Sequence, residues 1–156
     1  MKPLLLFYNK LEDSRQLLEG RLLLIDSDSS TIKNIYRATS GSANWQEHDE
    51  LAVKGRGSIP PQSDVDIPHY TVSTIPIPMP NLKGVEGNFY KIDPHMVQIN
   101  GRQRGDFGVH RDANIPGSAG CIVLGTAPGW AGFQADMQKL AASGVRVIPL
   151  LVSYIR

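Results

Sequence analysis

The chain carries one cysteine, Cys121, in 156 residues. An internal disulfide needs two, so no disulfide framework is available, and a cysteine-based zinc knuckle is excluded with it. Long apolar runs are missing too. Leu4 to Tyr8 is far shorter than a secretory signal core and is followed at once by charges. No stretch approaches the ~20 apolar residues of a membrane-spanning helix. The expectation is a protein made soluble in the cytoplasm, with no signal peptide and no membrane span. A charge excess of one sign is also absent: 16 Lys and Arg stand against 15 Asp and Glu, a net charge of +1. Nothing there neutralises a run of phosphates, which argues against a nucleic-acid partner. With no internal repeat and no linker-like segment, the chain reads as a single domain over residues 1–156.

Turn chemistry, by contrast, is plentiful. Fifteen glycines and 11 prolines punctuate short β-branched segments, a pattern of short strands rather than of a helical bundle. RLLLID (21–26) and TIKNIYRATSG (31–41) flank Ser27-Asp28-Ser29-Ser30 and read as a hairpin. LEDSRQLLE (11–19) fits either a helical turn or a strand-bearing loop, and Asn44 to Lys54 has no clear period. GRGSIPPQ (55–62) is a loop. Prolines 76, 78 and 80 restrict HYTVSTIPIPMP (69–80) to an edge strand or extended arm. FYKIDP (89–94), MVQI (96–99), FGVH (107–110) and CIVLG (121–125) are short strands. Trp130, Phe133, Met137, Leu140 and Ala141 recur every three or four residues, predicting one helix over about 129–143, started by Pro128 and stopped by Gly144. VRVIPLLVSYI (145–155) is a closing strand in which Pro149 offers a bend. The sum is a β-rich α+β fold with one main helix.

The chemistry concentrates in HRDANIPGSAGCIVL (110–124). A thiol attacks as its thiolate, and a nearby imidazole can take its proton or pair with the thiolate. If FGVH and CIVL pair, the loop between them brings His110 and Cys121 together. Gly120 permits positive φ, and the N–H groups of Gly120 and Cys121 are placed to face a developing oxyanion. A cysteine that opens an apolar strand is also ordinary core material, so the pair alone leaves both readings open.

The whole string does more. Gly-Val-His, a short loop, then Ser118-Ala119-Gly120-Cys121-Ile122-Val123 resembles the active-site signature of the L,D-transpeptidase catalytic domains, cysteine enzymes of bacterial peptidoglycan. Ala38-Thr39-Ser40-Gly41 after the hairpin and KGRGSIPPQ (54–62) are similar to further segments of that family, especially of its compact phage and effector relatives. The resemblance spans roughly residues 20–125 and is specific only over 107–124. It implies an L,D-transpeptidase-like β-sandwich or barrel and cysteine-dependent acyl transfer or hydrolysis on stem peptides through a thioester, with no cofactor. Cys121 would be the nucleophile and His110 the base. The backbone at Gly120 and Cys121 would form the oxyanion hole, and the Arg111 carbonyl would orient the imidazole. Without a signal peptide, delivery to the cell wall or periplasm would fall to a phage particle, a lysis cassette or a secretion system. Three departures stand out: Ala119 replaces the family's histidine, the spacer is short, and Val123 takes a position usually polar.

Other residues bear on the same polymer. Ser118, Arg104 and Arg111 are candidates for binding a substrate, the arginines through its carboxylates; Arg102 lies nearby. Asp93, His95, His110 and Asp112 contain Asp-x-His and His-x-Asp and would suit a metal-dependent peptidase, although no recognised ligand spacing is present and Cys121 would be idle. Trp45, Tyr70, Phe89 and Tyr90 could line a groove or pack the core. His48 and His69 read as surface or packing residues. A non-catalytic cell-wall-binding or virion module is the alternative from another class, and Ala119 and Val123 favour it.

Overall fold

In the computed structural model, which describes residues 1–156, buried side chains recur at every second position of most strands. Such strands have one apolar face to hide, and a sheet that closes on itself hides all of those faces at once. In chain order the elements are β1 (Pro3–Lys10), β2 (Gly20–Asp26), β3 (Thr31–Ser40), β4 (Tyr70–Ser73), β5 (Ile77–Met79), β6 (Gly87–Asp93), β7 (Met96–Ile99), β8 (Arg102–Gly105), β9 (Gly108–Arg111), β10 (Ile122–Leu124), α1 (Ala127–Ala142) and β11 (Val147–Ile155). Strands β4, β11, β1, β2, β3, β10, β9 and β6 pair in that order, and β6 returns to β4, so eight strands close a barrel. The β1–β11 and β9–β10 pairs are parallel; the others are antiparallel. β5 lies on β6 as an edge strand, where its one proline, Pro78, costs no ladder bond; β4, from the same 69–80 segment, is instead paired on both sides, because its residues carry no proline. β7 and β8 form a separate hairpin.

The barrel interior takes Leu5 and Phe7 of β1, Leu22 and Leu24 of β2, Val109 of β9 and Ile122 and Leu124 of β10. Helix α1 lays Trp130, Phe133, Met137 and Leu140 into the same cluster. Phe133 meets the rings of Tyr36 and Tyr90 edge-on at 5.5 and 5.1 Å, and the Tyr36 hydroxyl donates to Asp136. Thr126 caps the helix by accepting from the Gly129 N–H at 3.1 Å. The helix therefore begins two residues before the sequence-derived 129 and ends at Ala142.

Three segments differ from the sequence expectation. β1 is a full strand; its Leu4-Leu5-Leu6-Phe7 run lies between β2 and β11, and continuous apolarity masks the two-residue period. Residues 11–19 form no helical turn; Leu18 is held by Gln46, whose side chain accepts from its N–H at 2.7 Å. β8 has almost no apolar pattern and is a strand because Asn100 and Gly101, both at positive φ, turn the chain back onto β7. No helix is long and apolar enough to cross a membrane.

Because Phe133 joins the helix to both Tyr36 and Tyr90, Phe133→Ala should lower the free energy of unfolding by about 3–5 kcal/mol, read from denaturant midpoints at an unchanged m-value. A loss under about 1 kcal/mol would mean that the helix does not anchor the core.

Candidate active site

His110 and Cys121 open onto one cavity on the outer face of the barrel through a register that the sequence did not disclose. β9 and β10 run parallel, with Ile122 opposite Val109 and Val123 opposite His110. Ile122 and Val109 point into the core, so by alternation His110, Val123 and Cys121 share the other face. Extending the register by one residue sets Cys121 beside Gly108, with His110 diagonally ahead. Residues 112–121 therefore run back along the barrel rather than joining two near ends as a hairpin loop would. Both side chains line one cavity of about 330 Å³, with Lys83, Val85, Ile115 and Ser118 among its other walls. That volume suits a small acyl group.

The imidazole is oriented from two sides. Its Nδ1 lies 2.7 Å from the Arg111 carbonyl oxygen. A carbonyl only accepts, so Nδ1 carries the proton and Nε2 keeps its lone pair. The Phe89 ring stacks on His110 at 5.9 Å and 25°. The same ring would lie 2.1 Å from a β-carbon at position 108, so only glycine fits there. Burial lowers the His110 pKa below the ordinary imidazole value, against the Arg111 carbonyl and the Asp112 charge, which raise it. The resting base is neutral. The thiol is neutral as well: burial, aided by the Asp106 charge, pushes it up to about 11, against the Gly108 N–H and Arg104. Its S–H donates to the Asp106 carbonyl at 3.7 Å. With both groups neutral no standing ion pair forms at rest; the thiol and the imidazole keep separate partners in one cavity.

A dense set of hydrogen bonds fixes the cysteine loop. Ser40 donates to the Gly120 carbonyl at 2.9 Å and accepts from the Ile59 N–H at 2.9 Å. Ser118 donates to the Cys121 carbonyl at 2.6 Å, accepts from the N–H groups of Gly41 and Gly120, and donates its own N–H to the Gly41 carbonyl at 2.8 Å. Its hydroxyl is therefore occupied in shaping the turn, although the residue lines the cavity. Gly120 sits at φ +125, and a β-carbon there would fall 2.4 Å from Arg104 Nη2. Since the Gly120 N–H is spent on Ser118 at 3.3 Å, the unpartnered Cys121 N–H is the donor left for an oxyanion.

Arg104 is not where substrate can reach it. It is 2 % exposed, and its guanidinium donates to the carbonyls of Leu51, Gly57, Ser58 and Ala119. The expected carboxylate anchor is a strut, because fixed carbonyls consume its fork of donors. Arg111 alternates to the face opposite His110 and does not line the cavity; its carbonyl serves the site, and its guanidinium does not. Arg102 is exposed on the separate hairpin.

The metal set is not brought together, since no three such side chains cluster. His95 instead accepts from Lys91 at 2.8 Å and pairs with Asp106 at 3.2 Å. Asp112 accepts from the Gly117 N–H at 3.0 Å, closing the loop, and burial raises its pKa. Of the aromatics, Tyr70 and Tyr90 are core and Trp45 lies under Arg56, leaving Phe89 at the site. His48 pairs with Asp64 at 3.2 Å, and His69 bonds the Tyr70 carbonyl. Ala119 presents a methyl group to the cavity; Val123 is fully buried.

Sequence reasoning missed Lys83, Ser40 as the pin of Gly120, and the Asp106 carbonyl. Ser40 was signalled only by the small-residue run after β3; a backbone carbonyl has no sequence signal. Models of known protein families, curated proteins and solved structures yield no match to this chain.

Alkylation of Cys121 by iodoacetamide should have a midpoint near pH 11. Gly120→Ala, by displacing the loop from Arg104, should wet the thiol and bring that midpoint down toward the free-thiol value of roughly 8.5. A native midpoint below the free-thiol value would mean that the resting pair is ionic.

Proposed function

We propose that the protein is a cysteine acyl-transfer enzyme of the L,D-transpeptidase type, acting on peptidoglycan stem peptides at the cell wall or periplasm. The observation that carries this reading is that Cys121 and a His110 with a free Nε2 open onto one cavity. The motif resemblance over residues 107–124 supplies the substrate class, and the chain's strand-rich barrel with one helix is compatible with it.

Reaction begins from the neutral pair. Substrate displaces water from the cavity, and the thiol leaves the Asp106 carbonyl and turns toward His110. Nε2 takes the thiol proton as sulfur attacks the stem-peptide carbonyl carbon. The Cys121 N–H receives the oxyanion. Collapse breaks the C–N bond, and the proton passes from Nε2 to the departing amine, leaving a thioester on Cys121. An incoming amine or a water then attacks the thioester, giving up a proton to Nε2. The C–S bond breaks and the thiol is restored, so the first route exchanges or cross-links peptides and the second cleaves them.

The neutral thiol and the alanine at position 119 are what favour the second reading, a binding module of the cell wall or of a virion. The two part on turnover. Cys121→Ala should abolish stem-peptide conversion while preserving the fold, and His110→Ala should slow it by about 10²–10⁴-fold. Because His110 must be neutral to act and burial lowers its pKa, the rate should rise with pH through a limb below the ordinary imidazole value of 6.5 and be level above it. Stem peptides bound but unchanged by native protein, with equal affinity for Cys121→Ala, would favour the module.

A further inference from the structure

With Arg104 buried and Arg111 turned away, the expected recognition of a substrate carboxylate has lost both of its residues. The cavity nevertheless holds one cation. Lys83 lines it, in the turn between β5 and β6, across from the loop that carries Cys121. Lys83 is exposed, and neither an ion pair nor a hydrogen bond occupies its ammonium. Other cations near the site are engaged: Lys91 with Asp93 and His95, Arg56 over Trp45, Arg104 with four carbonyls. No aspartate or glutamate lines the cavity. Val85 and Ile115, the latter 82 % exposed, add apolar surface to the same walls.

From this juxtaposition we infer that Lys83 is the specificity-determining residue of the cavity, pairing with a carboxylate on the acyl donor while Val85 and Ile115 flank its aliphatic part. An unpaired ammonium facing a wall without acids lowers the energy of an anion placed there and gives nothing to a neutral analogue. The substrate class thereby narrows to acyl donors with a free carboxylate close to the scissile carbonyl. That narrowing rests on the acyl-transfer reading; the electrostatic selectivity of the cavity does not.

Cys121 is the only thiol, so two alkylating agents report on the cavity directly. Iodoacetate carries a carboxylate and iodoacetamide is its neutral counterpart. The ratio of their rates at fixed pH cancels the reactivity of the thiol. Lys83→Gln should lower the iodoacetate-to-iodoacetamide ratio about fivefold. Lys83→Arg should keep it, and Lys139→Gln, which removes an equal charge from the exposed side of α1, should leave it alone. High salt should shrink the native preference. An unchanged ratio in Lys83→Gln, or an equal drop in Lys139→Gln, overturns the assignment. In turnover, Lys83→Gln should raise KM for a stem peptide ending in a free carboxylate and not for its carboxamide. Should no stem peptide turn over while the alkylation ratio still depends on Lys83, the enzymatic reading fails and the role of Lys83 in the cavity stands.

Discussion

A buried guanidinium holds the site together. Arg104 has no carboxylate partner; its charge is compensated by the carbonyls of Leu51, Gly57, Ser58 and Ala119 and by the face of Phe107 at 5.4 Å. Arginine suits this because it stays charged under desolvation and its planar fork meets several fixed acceptors at once. Those acceptors lie at three places on two segments, residues 51–58 and the cysteine loop, which are about sixty residues apart in sequence. One follows the 3-10 turn at residues 48–50, one is the GRGSIPPQ segment and one is the cysteine loop itself. Removing the guanidinium would leave buried carbonyls without donors, a larger penalty than the bonds themselves contribute. The positions of Gly120, and through it of Cys121, follow from where that group sits.

Around this strut the barrel separates two tasks. Its inward faces are continuous apolar packing, while the outward face of β6, β9 and β10 carries Phe89, His110 and Cys121. Gly108 is the hinge between the tasks, because the missing β-carbon lets the Phe89 ring lie flat and steady the imidazole. The resulting pair is neutral. Burial opposes charge on both members, so the thiol stays protonated and rests on the Asp106 carbonyl rather than on Nε2. A cysteine kept protonated in this way is also protected from adventitious oxidation, which follows thiolate character.

Much of the scaffold was legible in the residues. The helix followed from its apolar spacing and its Pro and Gly boundaries, and the hairpin of β2 and β3 from its turn. Of the segment 69–80, only the proline-alternating end, β5, proved an edge strand; its proline-free start, β4, pairs on both sides within the barrel. Asn100-Gly101 is an equally strong hairpin signal, but the returning strand β8 went unassigned, because it has no apolar face to betray it. β1 was hidden for the opposite reason, being apolar on both faces. At the site, the motif located Cys121, His110 and the Arg111 carbonyl. It could not distinguish parallel from antiparallel pairing, and so misplaced the loop. It also treated Arg104 and Arg111 by charge alone and passed over Lys83, whereas the roles of the arginines depend on which carbonyls each meets and that of Lys83 on the cavity it lines.

The proposed chemistry turns on a covalent bond between the Cys121 sulfur and the acyl group, which intact-mass spectrometry detects. Native protein quenched in acid during reaction with a stem peptide should gain the mass of the acyl fragment. Peptide mapping should place that mass on Cys121, and hydroxylamine should release it as expected of a thioester. Consumption of the stem peptide with no adduct at any time, or an adduct on another residue, would contradict the account.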